Sequence, residues 1–223
     1  NEIKVVVNGA GAAAVSCARL YFSLGVEPQN LTMLDSKGVL NHKRENLSPE
    51  KKEFVRKTED ETLADALKNA DVFLGLSVGN IVNKEMLKSM AKNPIVFALA
   101  NPEPEINYKE AISARKDVIM ATGRSDHPNQ VNNVLGFPYI FRGAIDVRAK
   151  SINEEMKLAA VKAIAELARE VVPEEVIEAY GEHALTFSRE YIIPKPLDYR
   201  LMVKVSTAVA KAAIESGVAQ NII

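Results

Sequence analysis

The tightest constraint on this chain is a run of small residues near its start, Gly9-Ala10-Gly11-Ala12-Ala13-Ala14, set between a β-branched run and an alanine-rich stretch. The run fits the pattern G-x-G-x-x-A. Ile3 to Val7 shows little polar alternation, which predicts a strand buried on both faces, the usual state in a parallel sheet. Ala12 to about Leu24 predicts a helix, with Gly25 as its C-terminal stop. Each small residue then has a physical reason. Gly9 permits the tight turn, Gly11 lets backbone approach a pyrophosphate with no Cβ in the way, and Ala14 lets the helix pack closely on the strand. The helix start offers N–H groups and the positive end of its dipole to phosphate. The next strand, Leu31 to Leu34, closes on Asp35, 21 residues past Ala14. An acid at that place accepts hydrogen bonds from ribose hydroxyls. Gly9, Ala10, Gly11, Ala12, Ala13 and Asp35 are therefore candidate dinucleotide contacts. Asp35 favours NAD, but Ser36 and Lys37 follow it, and a hydroxyl with an ammonium can hold a 2′-phosphate. NAD and NADP both stay open. His42, Lys43 and Arg44 read as a solvated stretch, within a charged segment from Asn41 to Lys57 that predicts a loop or short helix.

The remaining pattern alternates. Helices are predicted over Glu61–Asn69, Lys84–Ala91 and Lys109–Arg115, and strands over Val72–Leu76, Ile95–Leu99 and Val118–Ala121. Such alternation implies right-handed crossovers and an α/β fold, a doubly wound parallel sheet of Rossmann-like type. Ligands bind such sheets at the carboxyl ends of the strands. Three of those ends carry polar or small residues. The turn at Ser77 and Val78 lets backbone approach the nicotinamide ribose. Asn101 supplies both donor and acceptor groups. Residues 122–138, rich in Gly, Pro, Asn and charge, read as a long functional loop. From Ser151 the pattern is almost wholly helical, with an amphipathic helix from Asn153 to Val171 and further helices over Glu174–Tyr180 and Tyr199–Ser216. The expected organisation is a dinucleotide-binding domain over 1–150 and a helical extension of it over 151–223.

Composition narrows the class. With 47% hydrophobic and 26% charged residues, the 223-residue chain is of soluble globular type. A net charge of −1 gives no general attraction to nucleic acid or membrane. One cysteine, Cys17, excludes an internal disulfide and agrees with a reducing setting, the cytoplasm or an organelle matrix, of which a cytoplasmic one is expected. It reads as a small buried hydrophobe. Tyr139 and Phe141 read as core, His127 as a residue ordering its loop, and Glu103 and Glu105 as water-facing. The chain starts at Asn1 without Met and enters an apolar run almost at once, as expected of a piece of a longer protein.

Six segments together resemble the NAD(P)-binding domain of malic enzymes, in particular the prokaryotic-type branch. They are VVVNGAGAAA, LDSKG, VFLGLSVGN, VFALANPEPE, ATGRSDHPNQVNNVLGFPYIFRGAIDV and INEEMKLAAV. They fall in the family's order and cover nearly the whole chain. The resemblance implies oxidative decarboxylation of L-malate to pyruvate and CO2, with hydride passed to NAD or NADP. It implies that Asn101 touches substrate and nicotinamide, and that Asn133 binds the substrate carboxylate. It also implies that the tyrosine–lysine acid–base pair, a substrate-binding arginine and the carboxylates for Mg2+ or Mn2+ lie in an N-terminal catalytic domain preceding Asn1. This chain would then be inactive alone. A homo-oligomer, dimer or higher, is expected from the resemblance, and some members of that branch carry a phosphotransacetylase-like domain downstream. Read from the residues without the resemblance, the rivals are the cofactor domain of another NAD(P)-dependent dehydrogenase, such as an amino-acid dehydrogenase, and a non-catalytic dinucleotide sensor.

Overall fold

The computed structural model describes residues Glu2–Asn221. It forms two compact units, one running through His127 and one starting at Pro128.

The first unit is built on β1 (Val5–Asn8), α1 (Ala12–Ser23), β2 (Leu31–Asp35), β3 (Gly38–Val39), α2 (Pro49–Lys52), α3 (Leu63–Leu67), β4 (Val72–Gly75), α4 (Lys84–Ser89), β5 (Ile95–Ala98), α5 (Tyr108–Ala114) and β6 (Ile119–Thr122). The sheet order is β3-β2-β1-β4-β5-β6. All pairs are parallel except β2–β3, where Leu34 faces Val39 and Asp35 faces Gly38. The apolar runs follow from burial on both faces. Val6, Leu34, Phe73, Val96 and Met120 pack on one side with Leu67, Leu87 and Ala111. Val5, Val7, Leu31, Met33 and Leu74 pack on the other with Ala14, Val15 and Ala18. Two-residue alternation sends successive side chains to opposite cores, so the strands are apolar apart from Thr32 and the strand-ending Asn8, Asp35 and Thr122. Cys17 is only half-buried against the second of these clusters. From β1 the chain winds first to β2 and then back across to β4, so the strand order reverses beside β1. That reversal opens the crevice in which such sheets bind ligands.

The second unit is helical: α6 (Phe137–Asp146), α7 (Glu154–Leu167), α8 (Glu174–Ala179) and α9 (Arg200–Glu215). Helix α9 packs on α6 and α7 around Met156, Leu167, Leu201, Val205 and Val209. Asn153 caps α7 by accepting the Met156 N–H at 3.1 Å. Three sequence expectations need correction here. The loop expected over 122–138 gives way to helix at Phe137, because Pro138 sits in the first turn, where its missing N–H is harmless. The region after Ser151 is not almost wholly helical, since residues 180–199 contain no helix. Phe141 is exposed, whereas Tyr139 packs against the core as expected. Among the described residues no helix is long and apolar enough to cross a membrane.

Candidate dinucleotide site

The site begins where β1 ends. Gly9 has φ 129°, a conformation that side chains strongly disfavour, and a Cβ there would lie 2.8 Å from the Leu76 carbonyl oxygen. Its N–H donates to the Leu34 carbonyl at 2.9 Å, and the Leu76 N–H donates to Asn8 at 2.9 Å. The turn is thus held by both neighbouring strands. Gly11 stands at the N-terminus of α1 with no side-chain cap and no acid in the first turn. A Cβ on Gly11 would meet nothing within 4 Å. That combination leaves helix N–H groups and the positive dipole end facing open space, a ready anion site.

A cleft of about 640 Å³ lies against this turn, lined among others by Gly9, Ala10, Gly11, Asp35, Ser36, Lys51, Ser77 and Val78. Ala12, Ala13, Lys37 and Asn101 are not among its lining residues. Ala12 and Ala13 open α1 and are exposed, and Lys37 and Asn101 are also exposed. Asn133 opens a short 3-10 turn in the second unit. There Asn132 caps the turn by accepting the Val134 N–H at 3.0 Å, and the Asn133 side chain is exposed. Asn129 is buried. Its Nδ2 donates to the Arg189 carbonyl at 2.7 Å and its Oδ1 accepts the Ile192 N–H at 2.8 Å.

At the end of β2, Asp35 accepts from Arg44 at 3.1 Å, from Lys51 Nζ at 2.8 Å and from the Lys37 backbone N–H at 2.9 Å. Burial opposes its ionisation, but the hydrogen bonds from Arg44 and Lys51 outweigh burial and hold the carboxyl well below the usual range. Arg44 therefore departs from the expected solvated trio. His42 and Lys43 stay exposed, whereas Arg44 turns inward to Asp35. Lys51 had no sequence signal beyond its charge, because it lies 16 residues past Asp35 on a short helix.

Glu105 overturns the expectation that it faces water. It is fully buried, while Glu103 is exposed as expected. Burial pushes the Glu105 carboxyl up, against hydrogen bonds from backbone N–H groups that favour its charge. His127 stacks on Tyr108 with ring centres 4.8 Å apart, and its Nδ1 lies 3.1 Å from the Thr122 hydroxyl. Among the described residues no group of three or more His, Cys, Asp and Glu residues is placed to hold a metal ion.

A parallel sheet that reverses order beside a glycine turn, with an uncapped helix start and an acid on the adjoining strand, defines a Rossmann-type dinucleotide-binding domain. The family model for the malic enzyme NAD binding domain matches residues 1–179, and the chain belongs to that family. It is 56% identical to the NADP-dependent malic enzyme of Halomonas elongata over 218 residues, 98% of this chain and 52% of that protein. It is 49% identical to the NAD-dependent malic enzyme of Rhizobium meliloti over 98% of this chain and 28% of that one. The crystal structure of Entamoeba histolytica malic enzyme superposes with a TM-score of 0.86 at 37% identity, covering 99% of this chain and 44% of that chain. The chain thus spans about half the length of these relatives, or less.

Proposed function

We propose that this chain supplies the cofactor side of a malic enzyme active site, for the oxidative decarboxylation of L-malate to pyruvate and CO2. The observation that carries the reading is the open, uncapped helix start above the Gly9–Gly11 turn, continuous with a cleft that ends at Asp35. The family membership joins that site to malate chemistry. When bound, the nicotinamide cofactor accepts a hydride from the substrate carbon. The chain's own residues bind and orient it. Backbone at Gly9 to Gly11 and the start of α1, at Ala12 and Ala13, receive the pyrophosphate. Ser77 and Val78 bring backbone to the nicotinamide ribose. Asn101 and Asn133 orient substrate and nicotinamide. The proton-transferring pair, and the carboxylates for Mg2+ or Mn2+, are assigned to the catalytic domain of the longer protein. A homo-oligomer and a cytoplasmic setting belong to the same proposal, the latter supported by the single free cysteine.

For cofactor choice the reading is NADP. Asp35 already accepts four hydrogen bonds from three donor groups, which leaves little acceptor capacity for ribose hydroxyls. Two cations against one carboxylate leave a surplus positive charge beside Ser36 and Lys37, suited to a 2′-phosphate. Calorimetric titration of the chain with NAD+ and NADP+ tests both parts. NADP+ is expected to bind about tenfold tighter or better, a difference of about 1.4 kcal/mol. Lys51→Ala is expected to remove most of that preference. Equal affinities in the wild type would refute the NADP assignment, and no binding of either at millimolar concentration would refute the dinucleotide reading itself.

A further inference from the structure

Glu105 stands out because a buried carboxylate is costly, several kcal/mol even after relaxation, and a well-packed apolar residue in its place is often neutral or better for stability. Glu105 has 0% exposure. Its side-chain partners are peptide groups. Oε1 accepts the Ser77 N–H at 3.3 Å and Oε2 accepts the Ala100 N–H at 3.0 Å. Those two donors sit on different loops, one leaving β4 and one leaving β5. The carboxyl lies directly over Gly75, where a Cβ would overlap it. Its own main chain adds to the tie, since the Glu105 carbonyl accepts the Val82 N–H at 2.9 Å and Pro104 accepts from Asn80 at 2.9 Å. A Cβ on Gly79 would come within 2.5 Å of the Glu103 carbonyl oxygen, so the two loops run in close contact. The linkage reaches the nucleotide turn as well, because Asn8 Nδ2 donates to the Ser77 hydroxyl at 2.6 Å.

We propose that Glu105 is a positioning residue, a two-oxygen clamp that sets the β4 and β5 loops at the spacing the nicotinamide half of the cofactor requires. This rests on the dinucleotide reading above. The clamped loops are those that carry Ser77, Val78 and Asn101, whereas the adenosine half is received at Gly9 to Gly11 and Asp35. Only a carboxylate accepts at both ends. An amide presents one acceptor and one donor, so Glu105→Gln sets its NH2 against one of the two peptide N–H groups and breaks one arm of the clamp. A hydrogen bond to a charged group is worth about 1.5–3 kcal/mol, which corresponds to roughly 10- to 150-fold in affinity where binding depends on it.

The test is calorimetry of wild type and Glu105→Gln with NADP+ and with 2′,5′-ADP, which presents the adenosine half alone. The expected result is a loss of at least about tenfold for NADP+ in the variant, with 2′,5′-ADP affinity held within about twofold. A parallel loss for both ligands marks a merely structural role and overturns the proposal, as does no loss for either. If the wild type binds NAD+ but not NADP+, NAD+ and ADP take the two places in the same comparison; if it binds neither NAD+ nor NADP+, the dinucleotide reading falls and this proposal falls with it. Should Glu105→Gln fail to fold, hydrogen exchange in the wild type decides. The Ser77 and Ala100 amides are then expected to exchange together and at least about 100-fold slower than open loop amides. Exchange of either at the open rate overturns the clamp.

Discussion

Gly9 and Gly11 lie two positions apart in one motif and answer to different forces. Gly9 is required by the fold, with φ 129° and no room against the Leu76 carbonyl. Gly11 has φ −85° and open space where a Cβ would go, so the folded chain tolerates alanine there. Gly9→Ala is expected to lower stability by about 1–3 kcal/mol through backbone strain and to weaken cofactor binding with it. Gly11→Ala is expected to keep stability within about 0.5 kcal/mol while cofactor affinity falls, because the added methyl meets only the ligand. Urea denaturation beside calorimetry checks the pair, and equal stability losses in both variants would contradict the division. The motif alone marked both positions, because turn sterics act within a few residues. It was silent on Arg44, Lys51 and Glu105. Their partners lie 9, 16 and up to 28 residues away, and no local spacing encodes such pairs.

Among the elements, α6 shows how a helix escapes a reading based on periodicity. Phe137, Phe141 and Ile145 form an exposed apolar row, with Phe137 and Phe141 rings 5.7 Å apart, while Gly143 and Ala144 face inward. The fully buried positions of α6 are the small ones, with Tyr139 and Ile140 half-buried beside them. Gly143 sits against α9, where a Cβ would lie 2.5 Å from the Ser206 carbonyl oxygen and 2.8 Å from Val209 Cβ. Two effects compete in Gly143→Ala. Alanine gains about 1 kcal/mol of helix propensity, but overpacking against a backbone atom costs about 1–3 kcal/mol. The contact wins because a carbonyl in a packed helix has no rotamer to change. The variant is therefore expected to unfold at lower urea with an unchanged m-value. A gain in stability would show that α6 and α9 can separate freely. The five parallel strands of the first unit, by contrast, were legible to within two residues, since burial on both faces leaves a largely apolar run, whereas the two-residue antiparallel β3 was not.

For the whole molecule, acid is the expected weak point. Asp35, Asp65 and Asp117 have carboxyls held low. Arg44 and Lys51 do this at Asp35 against the opposing effect of burial, the Thr62 hydroxyl leads at Asp65 (about 2), and Arg115 leads at Asp117. A carboxyl depressed on folding contributes stability above its unfolded pKa, near ~3.9, and loses it as pH falls through the folded value. Glu105 has the opposite sign, since burial raises it, and its penalty fades as pH falls toward about 4.3. Three against one decides the direction. The thermal midpoint is expected to change little down to about pH 4.5 and to fall steeply between about pH 4 and pH 2. Asp35→Asn should make that fall shallower, and a midpoint flat across the interval would contradict the account. The sequence by itself determined the alternating sheet, the glycine turn and the acid ending the second strand. These rest on steric and burial rules that act over a few residues. Only the tertiary structure decided that Asp35 is already paired, that Glu105 is buried as a clamp, and that α6 turns its glycine inward. Those outcomes depend on where distant stretches of chain meet, and a charge or a small residue carries no record of its partner until the chain has folded around it.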